Sequence, residues 1–419
     1  MSASAHAGPA HAAPRRVVVG VGGGIAAYKA CALVREFTEA GHHVDVVPTA
    51  AALKFVGAAT FEALSGNPVA TDVFSDVPSV RHVALGQKAD LVVVAPATAD
   101  LLSRAATGRA DDMLTSTLLT ARCPVLLAPA MHTEMWEHPA TQRNVAQLRE
   151  DGVVVMPPAS GRLTGADTGS GRLPEAVDIA RLGHLLLDSA ELPWDLAGRR
   201  VIVTAGGTRE EIDPVRFLAN RSSGKQGHAL ALIAAARGAD VTLVTTAESL
   251  DIPAAVRGER VTSAEEMRAS VLDAARHSDI VVKAAAVSDF RPDSVSTSKL
   301  KKGSVEEPDS IPLTRNPDIL ADLVAERAAG KLNRGCVLVG FAAETGDSDG
   351  SVLDYGRAKL RRKGCDLLVV NDVGPGGAFG SDENEGWILS GDGVETEMTR
   401  GSKDSVSSQI LSVAAALLE

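Results

Sequence analysis

Apolar residues in this chain come in short runs that end at glycine, separated by stretches of helical period. Val17-Val18-Val19 leads into Gly22-Gly23-Gly24, and Val201-Ile202-Val203 leads into Gly206-Gly207. A second run follows in each half: Val44-Asp45-Val46-Val47 after Gly41, and Val241-Thr242-Leu243-Val244 after Gly238. A third is Leu91-Val92-Val93-Val94 after Asp90, matched by Ile280-Val281-Val282 after Asp279. Runs of this length between turn residues fit buried parallel strands, and the stretches between them fit covering amphipathic helices. The alternation predicts an α/β fold made of two Rossmann-like doubly wound domains. Ligands in such sheets bind beyond the carboxyl ends of the strands, so each glycine turn and each third-strand end should face one crevice.

The boundary between the halves is readable. Residues 178–190 have the apolar spacing of a closing helix, and Glu191-Leu192-Pro193-Trp194-Asp195 breaks it. This gives one domain over 15–190, a second over 191–419, and a terminus, 1–14, expected to be disordered. Residues 291–310 are polar, lysine-bearing and proline-bearing, which suggests a mobile arm.

Composition narrows the class. The chain has 419 residues, 45 % of them hydrophobic but only 3 % aromatic, which suits tightly packed parallel sheets. A net charge of −11 argues against a general nucleic-acid or membrane-surface binder. Local cationic clusters therefore read as sites. Cys31, Cys123, Cys336 and Cys365 show no zinc-type spacing and fit a reducing compartment. No apolar run reaches transmembrane length. The first 14 residues lack the apolar centre of a signal peptide, so a cytoplasmic protein is expected.

The richest stretch is TAGGTREEIDPVRFLANRSSGKQG, residues 204–227. A glycine turn lets backbone approach a ligand, and a following helix start adds oriented N–H groups. Arg209, Arg216, Arg221 and Lys225 around it point to a phosphate-bearing ligand; the competing reading is a solvated basic loop. In the first half Gly22-Gly23-Gly24 is not a dinucleotide fingerprint, yet a glycine turn opening a helix still suits a phosphate. The third strand ends in Pro96, Ala97 and Thr98, small residues that leave room for a flat ligand. The next ends in Pro129-Ala130-Met131-His132, where Met131 fits an apolar wall or plain core. His82 is a candidate base at neutral pH, against the commoner structural role of a lone histidine.

These residues carry a resemblance. PATAD (96–100) looks like the PASANT-type motif, and PAMHTEMW (129–136) like a second motif, of the flavin-dependent cysteine decarboxylases. With the 204–227 stretch, KAAAVSDFRP (283–292), KLKK (299–302), NPDIL (316–320) and GFAAET (340–345), the chain resembles the bifunctional phosphopantothenoylcysteine decarboxylase / phosphopantothenate–cysteine ligase family of coenzyme A synthesis. The match runs from about residue 15 to about residue 415.

The resemblance implies FMN in the first domain, an electron sink for decarboxylation. Gly23, Gly24 and Ile25 would meet its phosphate end. Thr49 with Pro96, Ala97 and Thr98 would line its ribityl or ring side. His82 matches the catalytic histidine. His132 stands where the family has Asn, and Gly165 where it has a clamp cysteine, leaving Thr164, Asp167 or water to supply the proton. In the second domain it implies CTP-dependent joining of 4′-phosphopantothenate to L-cysteine through an acyl-cytidylate. Asn220 and Arg216 would hold the acyl intermediate, and Lys299 would close over it. Gly206, Gly207, Lys283, Ala284, Ala285, Asp289, Pro317, Asp318, Ile319, Leu320, Phe341, Lys359 and Lys363 match nucleotide contacts, with Asp289 also a candidate for Mg²⁺. Trimeric flavin domains and dimeric ligase domains imply a homo-oligomer, a dodecamer. Two alternatives stay open: a chain with only its ligase half active, and a regulatory module without chemistry.

Overall fold

The computed structural model describes residues 13–71, 81–163, 167–189, 191–300, 310–346, 350–372 and 383–418. The expected disorder of the first residues, and the positions of Thr164, Gly165, Lys301 and Lys302, lie outside these. The chain divides into two compact units between Trp194 and Asp195.

In the first unit the apolar runs form strands β1 (Arg16–Val21), β2 (His43–Pro48), β3 (Leu91–Ala97), β4 (Val125–Pro129) and β5 (Val154–Val155). They make one sheet, in the order β2-β1-β3-β4-β5, with every pairing parallel. β3 is buried along its whole length, as a strand covered on both faces must be. Val18, Val92, Val94 and Leu127 pack with Leu101, Leu114 and Leu148 from helices on one face. On the other face Gly183 of the Ala176–Ser189 helix lets Phe37 and Leu91 approach. Each fully buried Val or Leu contributes about 1.5–3 kcal/mol. The strand order reverses between β1 and β3, which opens the crevice at their carboxyl ends. An antiparallel hairpin, β6 (Ala159–Arg162) and β7 (Thr168–Arg172), stands apart from the sheet.

The second unit contains β8 (Arg200–Ala205), β9 (Arg209–Asp213), β10 (Arg216–Ala219), β11 (Asp240–Thr245), β12 (Val256–Arg260), β13 (Ile280–Lys283), β14 (Phe290–Pro292), β15 (Leu313–Arg315), β16 (Val337–Glu344), β17 (Leu367–Asp372), β18 (Glu383–Ser390) and β19 (Glu395–Ser402). Its main sheet runs β12-β11-β8-β13-β16-β17-β18-β19. The pairings are parallel as far as β17, and β18 and β19 extend the sheet antiparallel. The Lys225–Ala236 helix is buried from residue 227 to 236. From Ala229 onward its sequence is apolar all round, as a helix sandwiched between the sheet and the Lys403–Ala415 helix requires. Helices Ala264–Ala275, Ile319–Ala328 and Val352–Lys363 cover the other face around Met267, Val281, Leu320, Leu338 and Leu368.

Two expectations change here. The glycine turn at 206–207 does not open directly into a helix. A two-stranded hairpin, β9–β10, intervenes, and the helix begins at Lys225 behind a second glycine, Gly224. The stretch 291–300, expected to swing, is tied down. The Ser296 N–H donates to the Ile212 carbonyl at 3.0 Å and the Leu300 N–H to Asp213 Oδ2 at 3.2 Å. Asp213 is buried, and such a carboxylate holds any backbone N–H it can reach. The rest of the arm, 301–309, lies outside the described residues.

Candidate functional site

The strand tips of the first unit are knitted together. The Gly22 N–H donates to the Pro96 carbonyl at 3.0 Å, Thr49 N–H to Val21 O at 2.9 Å, and Ala130 N–H to Ala97 O at 3.1 Å. Above them lies a cavity of about 1020 Å³. Gly23, Gly24, Ile25, Thr49, Pro96, Thr98, Met131 and His132 all line it. Residues far apart in the chain thus meet where the strand-tip rule puts a ligand. A Cβ on Gly23 would sit 2.3 Å from the Ala51 Cβ, so this position can present only backbone to the cavity. Thr98 caps the Ala99–Ala106 helix, its Oγ1 accepting from Leu101 N–H at 3.3 Å. Ala97 is the exception within its motif: it is fully buried, in the core rather than the wall.

Charged residues that the motif reading passed over also line this cavity: Lys29, Arg104, Asp112 and Arg172. Lys29 and Arg172 both pair with Glu175, Lys29 at 3.1 Å. Arg104 gathers Asp100, Asp111 and Asp112 at 3.0, 2.9 and 2.7 Å. Burial pushes the Asp112 carboxyl up, but hydrogen bonds from Arg104 and from Thr115 outweigh it and hold the group ionised. The i,i+4 spacing of Asp100 and Arg104 was the available signal. The β6–β7 hairpin contributes Arg162, Leu163 and Arg172 to the wall, anchored where Met131 N–H donates to the Gly171 carbonyl at 3.0 Å. Asp167 is exposed at its far end. His82 does not line the cavity. It lies on the Arg81–Lys88 helix, and its buried Nδ1 has no hydrogen-bond partner among the described residues.

The second unit has a cavity of about 190 Å³ at the tips of its own strands. The first turn of the Lys225–Ala236 helix forms one wall, with Ser222, Ser223 and Gly224 before it; Ala284, Ala285 and Phe341 form another. The four leading N–H groups of a helix have no partner within it and carry partial positive charge, so this wall favours an anion. Gly206 abuts Gly224, and Gly207 packs under the Asn220 carbonyl. Asn371 and Asn384 complete the cavity, and neither was singled out from sequence. The strand-tip rule, applied to the apolar run at 367–370, points to Asn371.

The remaining candidates do not line this cavity. Lys283 is buried, its Nζ 4.0 Å from Met267 Sδ. Burial pushes its ammonium down to about 7, against the attraction of Asp318. Asp318 caps the Ile319–Ala328 helix and pairs with Lys363, while Lys359 pairs with Glu344 at 3.0 Å. Ile319 and Leu320 have their side chains in the core, and Pro317 precedes the cap. Arg216 pairs with Asp213, keeping that carboxyl well below the usual carboxylate range, and donates to the Leu300 carbonyl at 3.0 Å. Lys299 is exposed one residue before that anchor, and Asn220 Nδ2 donates to the Val287 carbonyl at 3.3 Å. Asp289 is exposed beside β14. Among the described residues no three His, Cys, Asp or Glu side chains gather as a metal site, and no helix is long and apolar enough to cross a membrane.

Comparison with known proteins agrees with this layout. Residues 7–183 match the Flavoprotein family model, and residues 196–417 match that of the DNA/pantothenate metabolism flavoprotein C-terminal domain. The coenzyme A biosynthesis bifunctional protein CoaBC of Mycobacterium bovis is 64 % identical over 95 % of this chain and 96 % of its own. That of Mycolicibacterium smegmatis is 62 % identical over 97 % and 99 %, and that of Bacillus subtilis 44 % over 96 % and 97 %. Identity of this extent, across both units and nearly the full length of each relative, places the chain in the family of coenzyme A biosynthesis bifunctional proteins.

Proposed function

We propose that this enzyme works in coenzyme A biosynthesis with one reaction in each unit. The second unit joins 4′-phosphopantothenate to L-cysteine at the cost of CTP, and the first decarboxylates the phosphopantothenoylcysteine formed. The observation that carries the reading is the convergence of Gly23, Thr49, Pro96, Thr98, Met131 and His132, from four chain segments, on one cavity of about 1020 Å³.

The first cavity suits FMN. It has room for a tricyclic ring, bare glycine backbone at one end, and Lys29 and Arg172 as local cations. FMN supplies an electron pair sink and source when bound. The chain's own residues bind, orient and shield: Met131 walls the apolar side, and His132 offers a hydrogen bond toward a substrate carboxylate. His82 lies outside its own cavity, so a catalytic His82 acts at a neighbouring copy's flavin. That arrangement agrees with a threefold assembly of flavin units within a dodecamer.

In the second unit the helix N-terminus and Asn371 receive the phosphates. Lys359 and Lys363 lie farther round the tips, with the backbone of Ala284 and Ala285 near the base. Carboxylate activation builds charge on departing pyrophosphate, which oriented N–H groups and cations stabilise. Asp289 as a lone carboxylate fits Mg²⁺ carried mainly by phosphate oxygens. Arg216, Asn220 and Lys299 stand on the hairpin and arm side, suited to hold the acyl intermediate away from water.

Purified protein is expected to hold one flavin per chain, to sediment and scatter as twelve copies, and to release pyrophosphate only with CTP and phosphopantothenate together. A colourless protein, or pyrophosphate release without phosphopantothenate, contradicts the proposal.

A further inference from the structure

Behind the second cavity runs a relay of side-chain amides with a fixed direction. Ser407 is fully buried, and its hydroxyl donates to the Lys403 carbonyl at 2.6 Å. Gln226 Nε2 donates to that carbonyl at 3.2 Å and to Ser407 Oγ at 2.8 Å. A backbone carbonyl only accepts, so Gln226 must turn its NH₂ toward the Lys403–Ala415 helix and its Oε1 the other way. Oε1 accepts from Asn384 Nδ2 at 3.1 Å. Asn384 is pinned a second time, because its Oδ1 accepts from the Glu385 N–H at 3.0 Å. The remaining hydrogen of Asn384 Nδ2 goes to Asn371 Oδ1 at 3.3 Å.

Asn371 is thereby left with its NH₂ as the group it can offer to the cavity it lines. Asn384, 4 % exposed, has committed both amide hydrogens, so it has no donor left for an anion and acts on one through Asn371. Two backbone groups, the Lys403 carbonyl and the Glu385 N–H, therefore set the polarity at the cavity wall. Reversing it would set carbonyl against carbonyl between Gln226 and Lys403 and cost the full desolvation of unpaired buried groups. A donor at Asn371 suits the anion that the adjacent helix N-terminus attracts.

We infer that Asn384 is a positioning residue that fixes Asn371 as a hydrogen-bond donor to the anionic ligand of this cavity. The inference rests on the proposed ligase reading for the identity of that ligand, the phosphates of a nucleoside triphosphate. The test titrates the full-length chain by calorimetry with magnesium CTP and, separately, with inorganic pyrophosphate. Asn384→Leu removes the donor, and Asn371→Ala removes the group it orients. Each is expected to weaken both ligands by about 3- to 10-fold, the range of a single hydrogen bond. The double variant is expected to be no weaker than Asn371→Ala alone, because one effect runs through the other. Ser407→Ala withdraws the far anchor without touching the cavity. Its loss, about two- to threefold, should likewise vanish in the Asn371→Ala background, and it carries the test should Asn384→Leu not fold. Additive losses overturn the inference, as does wild-type affinity in both Asn384→Leu and Ser407→Ala. Wild-type protein that binds pyrophosphate but not CTP contradicts the nucleotide reading and leaves the relay to be judged on the pyrophosphate arm. Binding of neither overturns both.

Discussion

Lys283 sits inside a core, its ammonium 4.0 Å from the Met267 thioether sulfur. The unfolded chain holds that proton up to the ordinary lysine value of 10.5, whereas the folded chain releases it near 7. Between those values the unfolded state binds more protons, so stability attributable to this residue rises with pH. Below about pH 7 the fold must bury a charge. Lys283→Met, similar in reach and apolar, is expected to raise the second unit's melting midpoint most at about pH 6–7. The advantage should close as pH approaches about 10. A gap that is flat or widens with pH contradicts the burial argument. Ligase turnover is expected to survive, because Lys283 would meet the nucleotide only through backbone. Sequence placed this lysine at a strand tip but could not show that its side chain turns inward. That depends on which face the strand offers to Met267, a tertiary fact. Likewise Ile319 and Leu320 stand within a nucleotide motif and yet bury their side chains, so only backbone is available there.

Among the elements, parallel strands were legible because burial on both faces writes an unbroken apolar run. The β6–β7 and β9–β10 hairpins carry no such run. ASGR is half-exposed, and REEID buries the acidic Glu210 and Asp213 where a strand would ordinarily bury apolar residues, so period and composition gave little signal. β18 and β19 extend the sheet at its edge; β18 alternates along most of its length, whereas β19 is exposed apart from Met398 and Gly401 and offers no apolar run. Both cavities depend on these less legible pieces. Gly171 shows how tightly: its φ is +148°, and a Cβ there would lie 2.2 Å from the Met131 carbonyl oxygen. Gly171→Ala must therefore push β7 away from Met131 and His132. It is expected to cut carbon dioxide release from phosphopantothenoylcysteine by at least about tenfold, because a displacement of about 1 Å can cost 10²-fold. CTP-dependent pyrophosphate release in the second unit should be unchanged. Equal loss of both activities, or loss of neither, contradicts a local role for the hairpin.

At the scale of the whole chain, two sheets repeat one device: a reversal of strand order with a ligand cavity at the tips. The repetition was visible as paired apolar runs and paired glycine turns, and it located both cavities. The proposed occupants rest on long motifs, since a glycine turn alone fits many phosphates. His82 marks the limit, for its motif says catalytic while its place in the single chain lies off the cavity. The central claim is that one polypeptide carries both reactions in series. The most direct measurement supplies purified protein with CTP, Mg²⁺, 4′-phosphopantothenate and L-cysteine, and follows pyrophosphate, carbon dioxide and 4′-phosphopantetheine together. The account predicts all three in equal amounts once the intermediate reaches steady state. Pyrophosphate with accumulating phosphopantothenoylcysteine and no carbon dioxide would contradict the first unit's assignment, and the absence of pyrophosphate would contradict the second's.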